Sequence, residues 1–362
     1  MYVTTTILLA AALLGMPQED ADRTRLLVVQ HLEGTLGLID PATGEATTTL
    51  RVGDGPRDVS PSPNGELALV SLAGTASAGS KVAVVDLRAG RLARTIDLVW
   101  TDDLGVEHAY YRPHSVTFLP RGEGALVTVE SHPNLLVLDL DAGVVLTSIP
   151  LTLTGVREVL LDASGSRAFV SGAMSGAVSV VDLGQSRELD VIETGGGPSA
   201  MALHPTRNEL WVANRETNSI SVIDTFDLEE KSEFPCGTYP SALCFTPNGK
   251  HILCSNHQAG TLSVFMSNGR SVVEEIRLGQ VSEEVAADRP VDHPSRHFGR
   301  SALPMDIHIN AEGTLAWIAC QRRDEVVELD LVTYEITRRF LVGKGPTALA
   351  WTVLRGTRIE GK

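Results

Sequence analysis

The chain of 362 residues is 43% hydrophobic and carries 33 glycines and 18 prolines, which supplies ample core material and excludes a largely disordered protein. Its formal charge of −15 argues against nucleic acid as a partner, because phosphate binding depends on Lys and Arg displacing counterions.

The first element in chain order is the ten-residue apolar run Ile7 to Met16, "ILLAAALLGM". It has the length of a signal-peptide core and is too short to span a bilayer. The expectation is therefore an exported protein, periplasmic or secreted, with no membrane span and with residues 1–23 as signal peptide and short linker. The first cysteine is Cys236, so no N-terminal cysteine is available for a lipid anchor.

Beyond residue 24 the sequence repeats itself. Units open at Pro56 ("PRDVSPSPNG"), Pro113 ("PHSVTFLPRG"), Val156 ("VREVLLDASG"), Pro198 ("PSAMALHPTRN"), Pro240 ("PSALCFTPNG"), Pro304 ("PMDIHINAEG") and Pro346 ("PTALAWT"). The successive openings are 57, 43, 42, 42, 64 and 42 residues apart. Each unit runs through an alternating strand, a P-x-G-like turn, an apolar strand, a polar turn, an "SVID"-like strand, a D-x-x-x-G-like turn and a last alternating strand. Four short antiparallel strands at this period predict the blades of a β-propeller. The third strands end at Asp40, Asp86, Asp139, Asp182, Asp224 and Asp330, with Met266 as the departure. A carboxylate there accepts N–H groups of the following turn, so these aspartates are read as structural.

Segments such as "ELWVANRETNSISVIDT", Glu209 to Thr225, resemble the YVTN family of propeller repeats, with "WVAN" in place of the naming tetrapeptide. The resemblance covers about Leu26 to Trp351. It implies an all-β propeller of the exported or cell-surface kind, and it implies no particular activity. The GH and WD dipeptides of the WD40 class are absent. The chain begins with the second, third and fourth strands of a unit and ends on a first strand, so pairing of the two termini predicts a closed ring of seven four-stranded blades over residues 24–354. Residues 355–362 are expected to form a flexible tail.

The two long intervals place insertions near Val99 to Arg112 and Gly279 to Ala302, both before a first strand. Long loops in compact domains are commonly lids or binding loops. They are expected to form flaps over one channel mouth, carrying His108, Tyr110 and Tyr111 on the first and His293 and His297 on the second. Around that mouth the first strands present Arg57, His114, Arg157, Ser199, Ser241, Met305 and Thr347. Arg57, Arg112, His114, Glu130, Arg157, Arg215 and His257 make up the candidate ligand-binding set, and donors converging in a concave mouth suit a small anionic or polar ligand. Glu130, Glu158 and Asp58 are the carboxylates that would neutralise the cations locally. His114 beside Glu130 could equally be a general base or an orienting contact.

No H-E-x-x-H, G-x-S-x-G or Gly-rich phosphate loop is present. No cofactor is predicted; copper or zinc is the occupant a three-histidine site on the upper face would take. Neither C-x-x-C nor C-x-x-C-H occurs, which excludes covalent c-type haem, while Cys244 and Cys254 flank "TPNG" and form a candidate disulfide. The leading expectation is a non-enzymatic binding or scaffold module for a small anionic ligand or a partner protein, acting as a monomer or within a periplasmic complex. The alternative is a periplasmic enzyme or enzyme subunit, either lactonase-like or redox-active with a bound cofactor or partner, with its site at the channel mouth.

Overall fold

The computed structural model describes residues 23–282 and 298–354. Seven four-stranded antiparallel sheets stand around a central channel. Blade 1 combines Pro346–Leu354 with Arg23–Gln30, Thr35–Ile39 and Ala46–Arg51, and blades 2 to 7 follow in chain order from first strands Pro56–Pro61, Pro113–Phe118, Val156–Leu161, Pro198–Leu203, Pro240–Phe245 and Pro304–Ile309. Closure is as expected: Arg23–Gln30 pairs antiparallel with Pro346–Leu354, with Leu27 opposite Ala350. Joining the ends in one sheet leaves no open gap in the ring.

The seven first strands pack side by side around the channel, and the core lies in layers between neighbouring blades. Between blades 1 and 2, Leu27, Val29 and Leu36 meet Val59, Val70 and Val85; between blades 5 and 6, Trp211 meets Ile252 and Phe265. Fully buried runs of the second strands, such as "LLVV" after Arg25 and "AFV" after Arg167, read as continuous apolar stretches because both their faces are covered by neighbouring blades. The turn aspartates behave as read from the repeat. Asp139 Oδ1 accepts the N–H groups of Asp141 and Ala142, and Asp224 Oδ1 those of Phe226 and Asp227.

The residue before every first strand has a left-handed backbone. Gly55, Gly155, Gly197 and Gly345 occupy four of these seven positions, and Arg112 (φ 55°), Tyr239 (φ 59°) and Leu303 (φ 53°) the others. Each turns its carbonyl onto the N–H that follows the second strand of its blade, as Arg112 does to Glu130 at 3.0 Å and Tyr239 to His257 at 2.9 Å. Glycine adopts this conformation freely and the three side-chain-bearing residues do so at a cost.

The four cysteines are free thiols, so the expected Cys244–Cys254 disulfide is not formed. The register explains why: Cys244 stands opposite Leu253 and Cys254 opposite Leu243, which puts the two sulfurs on different faces of the sheet. Among the described residues no helix is long and apolar enough to cross a membrane. Residues 1–22 and 355–362, which include the expected signal peptide and tail, lie outside the described residues.

Candidate functional site

At the start of each first strand the ladder breaks. In blades 2, 3, 4 and 7 the pairing jumps from Pro56 to Val59, Pro113 to Val116, Val156 to Val159 and Pro304 to Ile307. A regular strand would send consecutive side chains to opposite faces; the irregularity lets both members of each unpaired couple face the channel. Arg57 with Asp58, His114 with Ser115, Arg157 with Glu158 and Met305 with Asp306 all line one cavity of about 480 Å³, and Ser199, Ser241 and Thr347 complete the ring. All seven ring positions expected from the repeat are thus at the mouth.

Backbone groups freed by the break are taken up by buried hydroxyls. Ser71 Oγ accepts the N–H of Asp58 at 3.1 Å and donates to the His114 carbonyl of the next blade at 3.0 Å. Ser171 does the same between Glu158 and Ser199, and Thr128 between Ser115 and Arg157. These three residues are fully buried, and each hydroxyl holds its neighbouring blade in register at the channel wall.

The cations converge. Arg157 Nη1 lies 3.2 Å from His114 Nε2. A guanidinium only donates, so Nε2 accepts and the ring proton sits on Nδ1. Burial, then the charges of Arg57, Arg157 and Arg215, hold the His114 pKa well below the usual imidazole value. Glu130 bridges Arg57 at 3.1 Å and Arg157 at 3.8 Å. Burial and the nearby Arg215 and Arg57 pull the Arg157 pKa down to about 10. Arg215 has no carboxylate partner among the described residues; it donates to Tyr239 Oη at 3.4 Å and lies over that ring. Among the described residues the Nε atoms of Arg157 and Arg215 are buried without a partner.

One wall of the cavity is aromatic. Tyr239, His257 and Phe298 contact one another with ring centroids 4.8 to 5.8 Å apart. His257 also meets the Pro304 carbonyl through Nδ1 at 3.3 Å, and His31 meets that of Pro56 at 2.9 Å.

Several expectations change. His114 contacts Arg157 rather than Glu130, so the His–carboxylate general base is not assembled. Asp58 and Glu158 turn to backbone groups of the next blade rather than neutralising the ring arginines. The first insertion does not cover the mouth: it forms a hairpin of Val99–Thr101 and Glu107–Ala109 that leans on the outermost strand of blade 3, Val144–Pro150. His108 pairs with Asp102 at 3.1 Å and packs on Trp100, Tyr110 is buried with its hydroxyl on Ser148 at 2.8 Å, and Tyr111 is exposed; none lines the cavity. Trp100 and Tyr110 are apolar surface seeking cover, and the nearest apolar cover is the flank of blades 2 and 3. Arg112 is exposed at the rim outside the lining.

Of the second insertion the described ends are pinned by Arg322 to Gly299 and Arg323 to Gln280, and Phe298 enters the wall. His293 and His297 lie outside the described residues. No group of three potential ligands within reach of one metal occurs among the described residues. Tyr239, Phe298, Asp306 and the hydroxyls of Ser71, Thr128 and Ser171 join the site without having been marked out by the repeat. The signal for the last three was a single hydroxyl residue inside each otherwise apolar second strand, "LVSL", "LVTV" and "FVSG".

Residues 127–296 match the family model described as YNCE-like beta-propeller. The chain is a seven-bladed β-propeller, consistent with the YVTN type. Solved structures similar to this propeller include one described as Kuenenia stuttgartiensis Hydrazine Synthase, with a TM-score of 0.65 and 17% identity over 84% of this chain and 96% of that one. A functionally unknown protein from Desulfotomaculum acetoxidans DSM 771 aligns with a TM-score of 0.71 and 12% identity over 91% and 98%. At these identities the likeness is one of fold. No curated protein matches the chain.

Proposed function

We propose that this propeller is a non-enzymatic binding module that takes a small anion, of carboxylate type, in the mouth of its channel. The observation that supports this is the convergence of Arg57, Arg157 and Arg215 on one cavity, where among the described residues Glu130 is the one carboxylate paired with Arg57 and Arg157 and none is paired with Arg215, in a chain of net charge −15. Like charges brought together inside a protein repel and lose hydration, so the arrangement is unfavourable until an anion enters. Arg57, Arg157 and Arg215 all line the cavity, where guanidinium groups give an entering anion charge-assisted hydrogen bonds. A volume of about 480 Å³ matches a metabolite-sized ligand. The wall of Tyr239, His257 and Phe298 offers a face for an apolar stem. The apolar run Ile7 to Met16 supports an extracytoplasmic location.

Calorimetric titration at low ionic strength with succinate, acetate and phosphate, each against an uncharged analogue such as succinamide, tests the reading. At least one anion is expected to bind, and Arg157→Ala or Arg215→Ala to weaken it by tenfold or more while the melting temperature stays within a few degrees. Binding that survives both substitutions, or no heat with any anion at millimolar concentration, would overturn it.

A further inference from the structure

In three of the four broken ladder couples, those of Arg57, Arg157 and Met305, the second residue is a carboxylic acid. Asp58, Glu158 and Asp306 line the same cavity as the arginines. Each reaches into the following blade: Asp58 Oδ2 accepts from Val116 N at 2.9 Å, Glu158 Oε2 from Met201 N at 2.5 Å and Asp306 Oδ2 from Leu349 N at 2.7 Å. In the receiving blade the matching position is Ser115, Ala200 or Ala348, small enough to let the carboxylate across. Asp58 and Asp306 spend their other oxygen on the N–H of the residue that follows, Val59 and Ile307. Glu158 is one methylene longer, and its Oε1 takes no hydrogen bond from the described residues.

The arginine and carboxylate layers do not cancel. Among the described residues no ion pair joins Arg57, Arg157 or Arg215 to Asp58, Glu158 or Asp306. Glu158 is the least compensated of the three. Burial, and after it the proximity of Asp58 and Asp306, pushes its carboxyl well up, opposed by the one N–H of Met201. One cavity therefore presents guanidinium groups at its rim and, about one strand residue or roughly 3.3 Å further along the channel wall, carboxyl groups that no salt bridge among the described residues holds in their ionised form. A simple anion satisfies the first layer and offers the second no cation, whereas an ammonium group beside Glu158 would stabilise its ionised form.

We propose that the cavity recognises a zwitterion, a small molecule whose carboxylate lies on Arg157 and Arg215 and whose ammonium group lies on Glu158. This rests on the anion reading above and names its ligand class. The couple Arg157–Glu158 is the recognition element, with consecutive residues turned to one side by the jump from Val156 to Val159. The ligand is thereby limited to charges separated by a few ångströms.

The test is calorimetric titration of the intact protein with ω-amino acids from glycine to 5-aminovalerate, each paired with the same acid lacking the amine, and with butylammonium as the cation-only control. At pH 7.5 at least one amino acid is expected to bind tenfold or more tightly than its amine-free partner, and butylammonium to bind weakly. In Glu158→Gln, which keeps a carbonyl oxygen for Met201, that ratio is expected to fall toward one. Equal affinity within every pair, with the acids still binding, would overturn the zwitterion assignment and leave the anion site standing. A preference that persists undiminished in Glu158→Gln would overturn it as well, and no binding of any carboxylate would remove both.

Discussion

Arg157 in blade 4 donates to Nε2 of His114 in blade 3 across 3.2 Å, so the join between these blades at the channel wall depends on a neutral imidazole. His114 is held well below its ordinary value of 6.5, first by burial and then by the three arginines. A depressed imidazole contributes stability that is whole above 6.5 and is lost as the pH falls below it, by at most about 1.4 kcal/mol per pH unit. Denaturant unfolding at pH 7 and pH 5 is expected to show a smaller loss in His114→Gln, whose amide oxygen still accepts from Arg157, than in the parent. An identical pH dependence in the two proteins would contradict this.

Asp306 has the opposite sign. Burial raises its carboxyl to about 7 from an ordinary 3.8, with Asp58 adding to the rise. The folded state binds the proton more tightly than the unfolded chain, so stability falls as the pH climbs from about 4 through 7. Asp306→Asn removes that penalty at the fixed expense of one backbone contact. Relative to the parent it is expected to be about 2 kcal/mol more favourable at pH 8 than at pH 5, read from the unfolding midpoints at the two pH values.

Among the described residues Glu130 is the one acid bridging Arg57 and Arg157, and its side chain is 24% exposed. Removing its charge leaves the arginines to the ligand. Glu130→Gln is expected to bind a small carboxylate roughly tenfold more tightly, with a steeper loss of affinity in added salt. Weaker binding in this variant would show that Glu130 orients the arginines rather than competing for them.

Asn214 ends the "WVAN" strand, is fully buried and donates from Nδ2 to Ser219 Oγ at 3.1 Å and Ser221 Oγ at 2.8 Å. Asn256 holds Thr261 and Ser263 in the same way one blade later. The asparagine of this tetrapeptide thus fastens the second strand to the third. Asn214→Ala is expected to cost about 1–3 kcal/mol in chemical unfolding and to leave ligand affinity unchanged.

Arg112 has a φ of 55° where four other blades place glycine, and its side chain is exposed outside the cavity. Arg112→Gly is expected to raise stability by up to about 1 kcal/mol, because relief of backbone strain outweighs the added freedom of the unfolded chain. A lower melting temperature in this variant would show that the rim charge stabilises the fold.

The architecture was legible along the chain. Each blade is a local unit that must solve the same burial problem, so the turn aspartates, the alternation of each strand and the split first blade recur in the linear order. The ring positions Arg57, His114 and Arg157 were legible for the same reason. Which charge each side chain meets was not, because that depends on contacts between blades. Glu130 reaches both Arg57 and Arg157, while Glu158, adjacent to Arg157 in sequence, turns away to Met201. A jump of two residues in the ladder, held by the buried hydroxyls of Ser71, Thr128 and Ser171, turns neighbouring side chains to one face against the alternation of a regular strand. The hairpin bearing His108 and Tyr110 went to the flank of blade 3 because apolar cover for Trp100 and Tyr110 lies there, and that cover exists once the blades have packed together.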